Sequence, residues 1–115
     1  MVVPAAMEIT SVSGPAYVFL LAESMAKAGE AAGLAPDLAA KLARATVSGA
    51  GELLRLSDLD PAELRRNVTS PGGMTAAALQ VLMGDGPSGD SGPLEELLRD
   101  AVEAAARRSR ELAGR

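Results

Sequence analysis

The sequence has no cysteine, no histidine and no tryptophan, and its aromatic residues are Tyr17 and Phe19 alone. Without cysteine there is no disulfide, thiolate nucleophile or cysteine-type zinc site, and without histidine the usual general base and the commonest transition-metal ligand are missing. An independent enzyme running on acid–base, nucleophilic or metal chemistry therefore has little to work with here, and no metal-binding residues are assigned. Long apolar runs are also absent. The longest, residues 16–22, is closed by Glu23, well short of the roughly 20 residues that cross a bilayer, so no membrane partner is expected. Positive charge is in deficit, with 11 Lys and Arg against 15 Asp and Glu for a net charge of -4. That is the wrong sign for gripping nucleic acid. Residues 1–9 carry no basic leader region ahead of Glu8 and read as a lead-in segment, which makes the cytoplasm the simplest address.

What is present is helix-forming. At 115 residues the chain fits one packed domain, placed at residues 10–115, and a hydrophobic content of 48% argues against disorder, with a core drawn from Leu, Val, Met and many Ala. Ser13-Gly14-Pro15 offers a cap and a first-turn proline for a helix reaching about Ala32, with Gly33 as its stop and Tyr17, Leu20, Leu21 and Met25 along one side. Pro36 opens a second helix to about Leu56, with Leu38, Leu42, Ala45, Gly49 and Leu53 as its buried line. Ser48-Gly49-Ala50-Gly51 within it costs propensity, which predicts a bend or, better, another backbone close by. Asp60-Pro61 begins a third helix to about Val68; a fourth runs from Thr75 to Met83, with Ala78, Leu79 and Leu82 inward. The fifth starts at Pro93 with Leu94, Leu97, Leu98, Ala101, Ala105 and Leu112 at helical spacing. Its acidic start and arginine-rich end complement the helix dipole. No stretch alternates like a strand, so the expected fold class is all-α with about five helices.

Two loops stand out. Gly84-Asp85-Gly86-Pro87-Ser88-Gly89 spells the G-x-G-x-x-G of dinucleotide-binding folds, but it follows a helix instead of a strand and Pro87 has no N–H for a phosphate. Residues 84–92 are read as a flexible linker, and no cofactor-binding residue is assigned. Residues 70–75, Ser70-Pro71-Gly72-Gly73-Met74-Thr75, set two hydroxyls and two glycines before a helix start. Unpaired N–H groups and positive dipole there can cradle a small carboxylate. The plainer reading is that Ser70 and Thr75 cap neighbouring helices while the glycines turn the chain. Tyr17 reads as a core residue with its hydroxyl at the edge, and Arg107, Arg108 and Arg110 as solvated partners of the helix dipole. Gly29-Glu30-Ala31-Ala32-Gly33 has the spacing of a membrane helix-packing motif whose meaning does not carry over to this setting.

Ser13-Gly14-Pro15-Ala16-Tyr17 and, about fifty residues on, Asn67-Val68-Thr69-Ser70-Pro71-Gly72-Gly73-Met74-Thr75 resemble the two signature segments of the pyrroline-5-carboxylate reductase family. The closing Ala101-Val102-Glu103-Ala104-Ala105 and Arg108-Ser109-Arg110-Glu111-Leu112 resemble the end of that family's chain, so the likeness runs from about Thr10 to Leu112. The resemblance implies an interleaved, swapped helical dimerisation domain within an NADPH- or NADH-dependent enzyme that reduces a cyclic imine to proline. It implies a homodimer, in that family often assembled further into pentamers of dimers, a small imino-acid substrate, and a Rossmann domain supplying the cofactor. This chain lacks that domain, so it is expected to bind no cofactor and to be inactive alone. By matching position Ser70, Gly73, Met74 and Thr75 would bind the substrate carboxylate, with Thr75 also near the imine nitrogen as the catalytic candidate. Val12 stands where the family has glycine and is expected to restrict the backbone there. The rival reading is a purely structural helical dimerisation module, natural or engineered, that binds no ligand.

Overall fold

The computed structural model describes residues 13–85 and 92–114. They form five α-helices in order: α1 (Gly14–Ala31), α2 (Pro36–Leu56), α3 (Pro61–Asn67), α4 (Met74–Met83) and α5 (Pro93–Ala113). No strand occurs among the described residues, as the all-α reading expects. Prolines occupy the first turns of α1, α2, α3 and α5, where a missing N–H costs nothing and a fixed φ is already helical. Ser13 is not the expected cap. It is itself helical, at φ -86° and ψ -29°, and its side chain makes no capping bond. The lead-in 1–9, Val12 and most of the linker, 86–91, lie outside the described residues.

The chain divides into two compact units, meeting in sequence between Leu59 and Asp60. In the first, α1 and α2 pair as an antiparallel hairpin. Its corner is a Schellman turn: Leu34 N–H donates to the Gly29 carbonyl at 3.0 Å and Gly33 N–H to the Glu30 carbonyl at 3.0 Å. Gly33 stands at φ 114°, a conformation that only glycine adopts readily. Gly29 works differently. A Cβ there would lie 3.2 Å from Leu34 Cδ1 and 3.4 Å from Ala39 Cβ, so its bareness lets the turn and α2 close against α1.

The hairpin seals with small side chains. Ala39 and Ala43 are the buried hydrophobic residues, at 2% and 5% exposure, while Ala22, Ala26 and Gly29 on α1 and Val47 on α2 are half-buried. This corrects the expected α2 core by one helical position. Leu38, Leu42 and Leu53 are exposed, because rotating the alanine line toward α1 lets the two helices approach closely and turns the leucine line away. The Gly49 and Gly51 sites have nothing within 4 Å of an added Cβ. The backbone expected near them is not supplied by the described residues, and α2 runs through them without a break.

In the second unit α4 pairs with α5. Arg65 on α3 reaches the far end of α4, its Nη1 donating to Met83 Sδ at 3.6 Å. Ala76, Leu79 and Met83 form the half-buried line of α4. On α5, Val102, Ala105, Ala106 and Ser109 are half-buried, while Leu94, Leu97, Leu98 and Leu112 are exposed. Of the expected α5 line only Ala105 is drawn inward. Gly92 is fixed by contact, since a Cβ on it would collide with the Met83 carbonyl.

Candidate functional site

Residues 68–77 are held by bonds that stay almost entirely local. The Thr69 hydroxyl donates to the Arg65 carbonyl at 2.6 Å, and Thr69 N–H donates to the Arg66 carbonyl at 3.1 Å. These satisfy the last carbonyls of α3, which water or a cap must otherwise meet. Residues 70–73 then form a β-turn closed by Gly73 N–H donating to the Ser70 carbonyl at 3.1 Å. Pro71 takes the second position and Gly72 the third, at φ 71°. That is a type II turn, which needs a left-handed residue where glycine stands. At Gly73 the constraint is space: a Cβ would sit 3.3 Å from the Ser70 carbonyl oxygen and 3.5 Å from Ser70 Cβ.

Gly73 is the N-cap of α4, and no side chain caps that helix. Its carbonyl accepts from Ala77 N–H at 3.2 Å, the first turn of the helix. The N–H groups of Met74, Thr75 and Ala76 precede that bond and have no partner among the described residues. They carry the positive end of the helix dipole. The hydroxyls of Ser70 and Thr75 are exposed, and neither takes part in a hydrogen bond among the described residues. The plainer reading, in which both hydroxyls are helix caps, is therefore not what the fold contains.

Ser70, Gly73, Met74 and Thr75 thus come together on one turn and one helix start. Gly73 differs from the other three because its N–H is already used inside the turn. Ala76 is the residue that inspection of side chains passes over. Its contribution is a third free N–H, readable only from its place as the third helical residue. Two hydroxyls and three unpartnered N–H groups on one helix start are the kind of donor set that suits a carboxylate-sized anion.

The remaining candidates separate from it. Tyr17 is only half-buried as a residue, yet its hydroxyl oxygen is shielded from solvent and has no partner among the described residues, the reverse of the expected hydroxyl at the edge. Arg108 pairs with Glu111 at 2.9 Å and Arg110 lies in the last turn of α5, as expected for solvated dipole partners. Glu52 hydrogen-bonds Arg55 and raises its pKa in an exposed pair. A broad groove of about 940 Å³ between α1 and α2 is lined by Val18, Phe19, Ala22, Ala26, Ala43 and Val47, with Glu23, Lys41 and Arg44. It is mostly apolar and presents no free helix start.

The glycine string does not present a phosphate site where it is described. Gly84 lies at the carbonyl end of α4, whose partial negative charge opposes a phosphate, and the rest of the glycine string lies outside the described residues. Among those residues no cluster of three or more acidic side chains could hold a metal ion, and no helix is long and apolar enough to cross a membrane.

Comparison with known proteins bears on the same segments. A family model described as pyrroline-5-carboxylate reductase dimerisation matches residues 4–112. The pyrroline-5-carboxylate reductase of Pseudomonas aeruginosa is 44% identical over 108 residues, covering 94% of this chain and 37% of the relative. That of Pisum sativum is 47% identical over 100 residues, covering 87% of this chain and 34% of the relative. The crystal structure of the Plasmodium falciparum pyrroline carboxylate reductase with NADP bound superposes with a TM-score of 0.78 at 35% identity, over 91% of this chain and 37% of that one. The chain spans about a third of the length of the curated relatives it matches.

Proposed function

Because the chain belongs to the pyrroline-5-carboxylate reductase dimerisation family, we propose that it is the dimerisation and substrate-carboxylate-binding domain of an NAD(P)H-dependent reductase. That enzyme would reduce the cyclic imine of pyrroline-5-carboxylate to proline, in the cytoplasm. The observation that carries this reading is the uncapped start of α4 beside the type II turn. The N–H groups of Met74, Thr75 and Ala76 and the Ser70 hydroxyl donate to the substrate carboxylate, and Gly73 leaves room for its approach. Held this way, the ring lies over the first turn of α4, with the Thr75 hydroxyl beside the imine nitrogen. Thr75 or a water it orients supplies the proton there, and fixing the imine in place is the larger part of the domain's contribution. The dinucleotide supplies hydride when bound. We assign its binding to a Rossmann domain of the same enzyme, without which this chain is expected to be inactive.

The domain acts as a homodimer whose helices interleave, with assembly continuing beyond the dimer. Support comes from the exposed leucines of α2, which lack a partner in their own unit. Those leucines need only a partner helix, so they equally suit the rival reading of a dimerisation module without a ligand. Site replacement separates the two. In the reductase that carries this domain, Ser70→Ala and Thr75→Ala should each raise KM for pyrroline-5-carboxylate by about 10- to 100-fold, the worth of a hydrogen bond to a charged group, and leave KM for NADPH nearly unchanged. Normal activity with both residues replaced would sink the site and leave the module.

A further inference from the structure

Among the large apolar side chains described, Met74 is the most exposed, at 92%. Its place makes that exposure informative. It is the first residue of α4, and helical side chains lean toward the N-terminus of their helix. The thioether therefore leans back over the same helix start whose free N–H groups form the cradle. The half-buried line of α4 is Ala76, Leu79 and Met83, so Met74 lies off the face that α4 packs among the described residues. A carboxylate seated on the N–H groups of Met74, Thr75 and Ala76 leaves the methylenes of its ring beside the first turn, within range of an unbranched, polarisable side chain.

We propose that the Met74 side chain is a specificity-determining residue: a movable apolar wall that closes on the ring methylenes of the bound cyclic imino acid and sets the ring size accepted. This rests on the carboxylate cradle and adds a second contact to it, one that senses the ring and not the charge. Polar groups at the cradle cannot distinguish five- from six-membered rings, because both present the same carboxylate. A side-chain wall can, since one methylene in an apolar pocket typically changes selectivity by about 10- to 200-fold.

The test measures kcat/KM in the reductase that carries this domain, with NADPH, for the five-membered pyrroline carboxylate and the six-membered piperideine carboxylate. Met74→Ala should move the five-to-six ratio at least about tenfold toward the larger ring, mainly through KM. Met74→Leu, of similar volume, should keep the ratio near that of the parent. Ser70→Ala serves as the reference: it should weaken both substrates alike and leave the ratio in place. An unchanged ratio in Met74→Ala, or an equal fall for both substrates, overturns the wall. Should Ser70→Ala leave both KM values untouched, the cradle itself fails, whatever Met74 does.

Discussion

Truncating the outward leucine line of α2 should dissociate the dimer, and the size of the effect can be worked from exposure. Leu42 is 48% exposed and Leu53 58%. Burying a leucine fully stabilises by about 1.5–3 kcal/mol, so completing the burial of one left half-exposed is worth about 0.8–1.5 kcal/mol. A two-fold dimer presents each residue twice. Replacing Leu42 and Leu53 by Ala then removes four such increments, about 3–6 kcal/mol, and raises the dimer Kd by roughly 10² to 10⁴. Sedimentation velocity over a concentration series reads this directly, with far-ultraviolet circular dichroism to follow helix content. Lys27→Gln is a suitable control, because the Lys27–Glu23 pair is 73% and 59% exposed and contributes little. A parent chain that sediments as a monomer at micromolar concentration would refute the reasoning. So would a double variant that stays helical and dimerises as tightly as the parent.

Two further replacements probe the turn and the buried hydroxyl. Gly72 has nothing within 4 Å of an added Cβ and a φ of 71°, so the cost of a side chain there is purely conformational. Gly72→Val should destabilise by about 1–3 kcal/mol in chemical denaturation, and Gly72→Asn by clearly less because Asn tolerates this region; equal losses would show that crowding and not φ governs the site. Tyr17→Phe tests whether the shielded hydroxyl finds a partner on assembly, since buried hydroxyls are seldom left unpaired. The dimer should lose about 1 kcal/mol per protomer, and a gain in stability would mark the hydroxyl as unpaired in the assembly as well.

Local chemistry was easier to read from the sequence than direction. Pro36, Pro61 and Pro93 announce helix starts because a residue without an N–H fits best in a first turn, and each occupies one. The string of residues 70–73 announces a turn because proline followed by glycine matches a type II geometry, and Gly72 adopts it. The inward face of α2 was not legible. Ala39 and Leu38 are adjacent in the helix, and periodicity marks an apolar sector without saying which edge meets the same chain. The leucines looked like the core because they bury more area per residue, yet the alanines are buried because only they let two helices come this close. Free donors were hidden for a related reason. The N–H of Ala76 matters through its position in a helix, and Gly73 loses its N–H to a bond that exists only once the turn has formed.

The two properties assigned to the chain therefore have different physical ranges. Among the described residues, every bond that shapes the proposed cradle joins residues between Arg65 and Ala77, so its donors are set locally. The apolar surface is the opposite case. Phe19 is 72% exposed, Leu56 66% and Leu97 68%, on three different helices; the alanine seam of the hairpin does not cover the first two, and the pairing of α4 with α5 does not cover the third. Marginal stability is decided by a few kcal/mol, and leaving these three side chains wet forgoes about 3–6 kcal/mol, an amount of the same order. The donors of the proposed cradle lie on one turn and one helix start, whereas the exposed side chains need another surface to dry them.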